Sequence, residues 1–242
     1  MTDPIPPWRA TGAQLGGFFA LAPATQGLAP LTAELEDDAL TRRLSLVREA
    51  LAASAGMPSA DLDPRVACSA LQVGLVSRLW SVGLASALVH GGVPDLAVEH
   101  LWLSPAGGPT RLAVHPEPAW HAGSSAAALL AEHVIPPVLA VSGRCGDVGA
   151  TAPHVLLSNA TSSLVGGARV LGARRPELAA AARAAALETL ADDRLSSYAQ
   201  VDEASGEVTR RGCCLFYRLP EHGLCPDCVL AARHPERVTE AH

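Results

Sequence analysis

The sequence predicts an α+β protein that is predominantly α-helical, with a helical N-terminal region, a small β-hairpin and a cysteine-rich C-terminal segment. Three observations carry that reading. Apolar residues recur at helical spacing over most of the chain. One strong turn signal, Ser104-Pro105-Ala106-Gly107-Gly108-Pro109, lies between two short strand-like runs. Four of the six cysteines fall between positions 213 and 228.

The elements follow in order. Residues 1–24 set Asp3 against Arg9 and hold only a short apolar stretch, which suits a coil and a short helix better than an export signal. Leu31, Leu35, Leu40, Leu44, Leu46, Val47 and Leu51 give residues 31–55 a helical stripe. Pro58 and Pro64 interrupt the chain. Asp63 then caps a long helix over 64–90 with Pro64 at its first position, and Gly91-Gly92 closes it. Its apolar run, 66–89, could span a bilayer by length. Arg78 at its midpoint, with Ser69, Gln72, Ser77, Ser81 and Ser86, favours a buried core helix. Peripheral membrane contact stays open.

Residues 98–103 and 110–114 read as the two strands of the hairpin. Helix resumes over 124–141, interrupted near Pro136-Pro137, then over 151–171 and 176–192. Leu178, Ala182, Leu187 and Leu190 form the inner face of the last one. Residues 195–205 read as a linker into the cysteines.

Composition narrows the function. Hydrophobic residues make up 49% and charged ones 17%, enough apolar content for a sizeable core. The net charge of −6, with no basic run, argues against nucleic acid as a partner. All 18 basic residues are arginine, so a Walker-type phosphate loop and a Schiff-base lysine are both excluded. The run Gly143-Arg144-Cys145-Gly146-Asp147-Val148-Gly149 follows no strand and lacks the tight opening of a dinucleotide loop. His133 and His154 form no H-E-x-x-H pair, and no G-x-S-x-G occurs.

The chemistry concentrates in the spacing C-C-x10-C-x2-C of Cys213, Cys214, Cys225 and Cys228. Two disulfides would need an oxidising compartment. Structural zinc takes its cysteines from two turns with gaps of about two to four residues. Cys225-Pro226-Asp227-Cys228 makes one such turn and Cys213-Cys214 does not make the other. Neighbouring side chains diverge on extended backbone. A [2Fe–2S] cluster accepts thiolates at more than one separation, although neither common ferredoxin spacing is present.

The run Arg211-Gly212-Cys213-Cys214-Leu215-Phe216-Tyr217-Arg218, with Cys225-Pro226-Asp227-Cys228, resembles the FhuF-type siderophore-iron reductases. Ser77-Arg78-Leu79-Trp80-Ser81 and Ser158-Asn159-Ala160 are loosely similar to helical segments of the same family. Where that pattern has Trp-Gly before the Asn, this chain has Leu157-Ser158. The resemblance implies a [2Fe–2S] cluster on all four cysteines and one-electron reduction of a ferric siderophore in the cytoplasm. Residues 1–200 would then be a mostly helical substrate-cleft region and 201–242 the cluster-binding segment. A near-neutral cleft lining would favour a hydroxamate siderophore. With no flavin or nicotinamide site in the sequence, the electron donor would be a separate ferredoxin or reduced flavin. Two alternatives stand beside this reading: a zinc-stabilised helical partner-binding protein and a simple iron–sulfur electron carrier.

Other residues are read more plainly. Cys68 and Cys145, remote from the cluster segment, fit core packing. His222, inside the cysteine loop, fits either a hydrogen-bond donor to a cluster sulfur or a solvated residue. Arg78 fits a structural partnership or the border of a ligand cleft. Arg210, Arg211 and Arg218 flank the cysteines and could steer an acidic donor.

Overall fold

The computed structural model describes residues 7–22, 25–115, 118–202, 204–220, 222–225, 227–231 and 233–238. Eight α-helices and seven short strands are formed among these residues. The helices are α1 (Pro7–Leu15), α2 (Leu31–Glu34), α3 (Asp37–Ser54), α4 (Pro64–His90), α5 (Ala126–His133), α6 (Ile135–Val148), α7 (Pro153–Arg174) and α8 (Ala179–Leu190). The strands are β1 (Ala29–Pro30), β2 (Gly92–Pro94), β3 (Leu101–Leu103), β4 (Leu112–Val114), β5 (Trp120–Ala122), β6 (Ala199–Val201) and β7 (Val208–Arg210). The mainly helical α+β class read from the sequence is the class found.

Helix α4 is the axis. It packs against α7 most extensively, and against α1, α3, α5 and α6 around its circumference. Leu75, Leu79, Trp80 and Leu84 on α4 are at most 1% exposed and join one apolar core with Leu130, Ile135, Val138, Leu164 and Leu171. This packing explains why a helix long and apolar enough to cross a membrane is sheathed here by other helices. Its ends are set by local chemistry. The Asp63 carboxylate accepts from the Arg65 N–H at 3.0 Å, Pro64 occupies the first turn, and Gly91 closes the helix at φ 65°.

The hairpin pairs Leu101 with Val114, Trp102 with Ala113 and Leu103 with Leu112. Here the structure adds to the sequence reading. Strand β1 joins the same sheet on the other side of β3, and the first half of the expected strand, Val98–His100, is a 3-10 turn. The helix expected over 31–55 is two, α2 and α3, divided at Leu35 and Glu36. The break expected near Pro136-Pro137 falls earlier, at Val134, with a 40° bend between α5 and α6. Both prolines sit in the first turn of α6, where their missing N–H groups have no partner to lose. The glycine-spaced run 143–149 is mostly the last turns of α6.

The segment expected to be a linker is instead ordered. Ser196–Tyr198 form a 3-10 turn, and β6 pairs with β7 through Ala199–Arg210, Gln200–Thr209 and Val201–Val208. The Asp202 carboxylate builds the turn by accepting from the N–H groups of Ala204 and Ser205. Cys68 and Cys145, distant in sequence, meet in the core: the Cys68 thiol donates to the Cys145 carbonyl at 3.1 Å, and both side chains are fully buried. Burial pushes both thiols up in pKa, so neither offers a thiolate at neutral pH.

Asp63 joins the helix cap to the cysteine loop, because it also pairs with Arg218. The hydrogen bond from Arg65 is the main cause that holds its carboxyl below the ordinary value. Its contribution is complete above the unfolded carboxylate value of about 4 and is lost as pH falls through the depressed folded value. Asp63→Ala is expected to cost about 1 kcal/mol at pH 7 and progressively less in acid, as read from urea unfolding at a series of pH values.

Candidate metal centre

Strand β7 delivers the chain to the cysteines. At its end the Arg210 N–H donates to the Asp227 carbonyl at 3.1 Å, so the strand and the Cys225–Cys228 turn are hydrogen-bonded directly. Gly212 then lies flat on α7. A β-carbon there would come within 2.7 Å of both the His154 carbonyl and the Ser158 hydroxyl, an approach that only glycine permits. His154 marks the same contact, with its Nε2 3.0 Å from the Arg211 carbonyl.

The adjacent cysteines are reconciled by the backbone. Leu215 takes a left-handed conformation, φ 68°, and opens the 3-10 turn Phe216–Arg218. Within that turn the Leu215 N–H reaches Cys213 Sγ at 3.4 Å, and the Phe216 N–H donates to Cys214 Sγ. The Leu230 N–H does the same for Cys228 Sγ at 3.4 Å. Amide donors aimed at sulfur favour the thiolate.

The thiols are also gathered. Cys225 donates to Cys214, and Cys214 to Cys213. The first of these linkages in pKa order, the bond from Cys214, brings Cys213 down to about 7. Cys214 is held up by its donation to Cys213, and Cys225 by its donation to Cys214. Cys214 and Cys228 are each 4% exposed, while Cys213 and Cys225 are half-buried. Among the described residues no three His, Cys, Asp or Glu side chains converge as a single-ion site.

Arg210 supplies the charge that such a set of sulfurs needs. Its side chain is 6% exposed and pairs with Asp227 at 2.8 Å. Burial works against its charge, but Asp227 and the Cys214 and Cys225 sulfurs more than offset that and raise its pKa. Its Nε–H is buried with no hydrogen-bond partner among the described residues. A buried cation with a spare donor beside four thiols fits an anionic thiolate-bound cluster.

A chain of buried polar groups fixes this corner to the helices. The Ser69 hydroxyl donates to the Cys214 carbonyl at 2.8 Å, and the Asn159 amide donates to Ser69 at 2.8 Å. Asn159 Oδ1 accepts from Arg210 at 3.5 Å, and its amide also faces Gln72 Oε1 at 3.5 Å. Gln72 donates in turn to Ser142 at 2.9 Å and to the Leu156 carbonyl at 3.0 Å. The Ser162 hydroxyl donates to Asp227. Asn159 is thus part of the site despite the Leu157-Ser158 departure before it. Ser69, Gln72 and Asp227 were not singled out from the sequence; buried polar residues on an otherwise apolar helix were the available signal for the first two.

The remaining residues of interest divide. Arg218 reaches across to Asp63 and lies 5.8 Å from the Tyr217 ring. Arg211 is exposed beside the site. His222 Nδ1 is 2.9 Å from the Gly223 carbonyl, and its ring packs on Phe216 with centroids 5.6 Å apart. These contacts hold the loop, and among the described residues His222 makes no hydrogen bond to a sulfur. Arg78 is fixed by the carbonyls of Gly74, at 2.5 Å, and Thr110, at 3.1 Å, and lies 4.8 Å from the Phe18 ring. It backs the wall of a cavity rather than lining it.

That cavity, about 410 Å³, lies between α4 and α7 and has Cys214 and Cys225 among its lining residues. Ser77 and Ser81 line it from α4, and Asn159, Ser163, Gly166 and Gly167 from α7. A second groove of about 760 Å³ lies on the other side of Cys225, between α7, α8 and β7.

The fold and this donor set define an iron–sulfur protein. Residues 210–230 match the family model described as the FhuF 2Fe-2S C-terminal domain, and all four clustered cysteines lie inside the match. The cofactor of this segment is accordingly a [2Fe–2S] cluster. No curated protein matches the chain.

Each of Cys213, Cys214, Cys225 and Cys228 is expected to be needed for the cluster. Cys→Ser at any of them should weaken or abolish visible absorption and lower the iron and acid-labile sulfide content, and an unchanged spectrum for Cys213→Ser would refute the four-ligand set. Asn159→Ala should cost about 1–3 kcal/mol in urea unfolding, because it strands buried partners on Ser69 and Arg210.

Proposed function

We propose that the protein is a cytoplasmic oxidoreductase that reduces Fe(III) held in a siderophore to Fe(II). The observation that carries this reading is a ligand-sized cavity with two of the four clustered cysteines, Cys214 and Cys225, in its wall. A simple carrier needs a shell around its cluster, not a chamber leading to it. The volume, about 410 Å³, falls within the range of about 300–1,000 Å³ usual for small-molecule sites.

When bound, a [2Fe–2S] cluster supplies a one-electron couple. The residues of the chain supply the rest. Arg210 and Asp227 fix the Cys225–Cys228 turn against β7. The Ser69–Asn159 bridge holds Cys214 at the inner end of the cavity. Phe18, Phe19, Val73 and Phe216 line the cavity with apolar surface that limits water around a docked complex. The chelate stays outside the thiolate set, which leaves no open metal position, so iron would be reduced without bonding to the protein.

The substrate chemistry supports release after one electron. Hard oxygen donors match Fe(III) much better than Fe(II). The step balances as ferric chelate plus one electron giving Fe(II) and free chelator, whose donor oxygens take protons from water. The reductant is a separate ferredoxin or reduced flavin, and the six free thiols suit a reducing compartment.

Single-turnover oxidation of the dithionite-reduced protein tests the reading. Ferric siderophores should restore the oxidised visible spectrum at rates that differ among chelators, with Fe(II) trapped by a ferrous indicator. Equal rates for every chelator, or none, would count against it. Gly166→Leu offers a second check. No atom lies within 4 Å of a β-carbon at this position, so the variant should fold. Its side chain should fill the cavity floor and slow oxidation by chelates while leaving the visible spectrum intact.

A further inference from the structure

We propose that the cavity takes a ferric chelate of net negative charge, held through its anionic oxygens by Arg169 and Arg174 at its mouth. The proposal rests on the reductase reading for the iron and specifies the charge of its ligand. A near-neutral lining was the ground for favouring a hydroxamate, and the lining found is not neutral.

Among the described residues the cavity is lined by Arg169, Arg174 and Arg210 and by no aspartate or glutamate, in a chain of net charge −6. Arg210 is committed to Asp227 and faces the sulfurs. Arg169 and Arg174 are exposed, and neither has a hydrogen-bond or ion-pair partner among the described residues. Their neighbours on the same side of the molecule are spoken for: Arg175 pairs with Glu177, and Arg183 donates to the Ser205 carbonyl.

Arg174 is also positioned. Its guanidinium runs along the Gly16–Gly17 turn, where β-carbons would come within 3.5 and 3.8 Å of its terminal nitrogens. Both glycines hold positive φ, 65° and 57°, and lead into Phe18, which is 45% exposed at the rim. Val170, 39% exposed, forms the rim on the α7 side. The mouth therefore offers two unpaired guanidinium forks set in apolar surface. Such forks match carboxylate or catecholate oxygens, which accept two parallel N–H donors.

In a neutral trihydroxamate complex the metal charge cancels that of the donor oxygens, whereas a tris-catecholate complex keeps three negative charges spread over its oxygens, so only an anionic complex answers both guanidiniums. With a cluster bound, Cys214 and Cys225 would place negative charge on the inner wall, against Arg210. An anionic complex is thus drawn to the mouth and not deeper, with its charge away from the sulfurs. The second groove shares Arg169 and Arg210 with the first, but Glu207 and Asp227 also line it, which makes it the poorer anion site.

Calorimetric titration of the full-length, cluster-loaded protein with gallium(III) complexes tests the inference. Ga(III) accepts no electron under these conditions, so binding is read apart from turnover. The probes are a Ga(III) tris-catecholate, a Ga(III) citrate complex and a neutral Ga(III) trihydroxamate. At least one anionic complex should bind about tenfold more tightly than the neutral one, with an advantage that shrinks as salt rises. Arg169→Gln and Arg174→Gln should each weaken the anionic complex by roughly two- to fivefold and leave the neutral one unchanged, with circular dichroism and the visible spectrum unaltered. Tight binding of only the catecholate, or only the citrate complex, identifies the anionic donor. Equal or tighter binding of the trihydroxamate, or an equal loss for all three probes in the variants, overturns the inference. Ferric counterparts that bind but are never reduced would sink the reductase reading and leave the charge assignment standing.

Discussion

The buried bridge from α4 through Asn159 to the cysteine segment is the constraint on which the site depends. Ser69, Gln72, Asn159 and Arg210 are each at most 5% exposed and satisfy one another across three parts of the chain. Buried polar groups are costly when unpaired and directional when paired. Apolar packing alone could let a short, turn-rich tail slide over α7. This network admits one register, with Cys214 facing the cavity and Asp227 facing Arg210.

Packing and electrostatics cooperate around that bridge. Leu215, Phe216 and Tyr217 pack with Leu62 and Val66 in a small second core, so the turn that aims the sulfurs is itself anchored. The left-handed Leu215 is tolerated because apolar contacts and the amide donors to Cys213 and Cys214 over-determine it. Arg210 answers two demands at once: it pairs with Asp227 to hold the second cysteine turn, and it balances charge at the sulfurs.

Much of this was legible in the sequence. The long helix with Asp63, Pro64 and Gly91 at its ends is local chemistry, and it was found as read. The cysteine spacing weighed against zinc because ligand separation constrains which metal group can be held, and the resemblance carried by the same run implied the cofactor. Non-local contacts were not legible. The β6–β7 pairing lacks a tight two-residue turn signal, so 195–205 resembled a linker. Gly16-Gly17 and Arg174 are far apart in sequence, and their meeting at one cavity mouth depends on how α1 and α7 pack on α4. The charge of the cavity was invisible for the same reason: the overall acidity of the chain says nothing about which arginines are left without partners.

The sulfur-bearing tail carries little regular structure of its own. Among the described residues beyond β7 it shows short turns and a bridge between Leu224 and Val238. The helical body holds most of the apolar core, so the two parts have unequal reserves of stability. A metal group bound only by the folded tail adds to the smaller reserve by mass action. Loss of the cluster would then open this stretch to unfolding and proteolysis before the helical body yields.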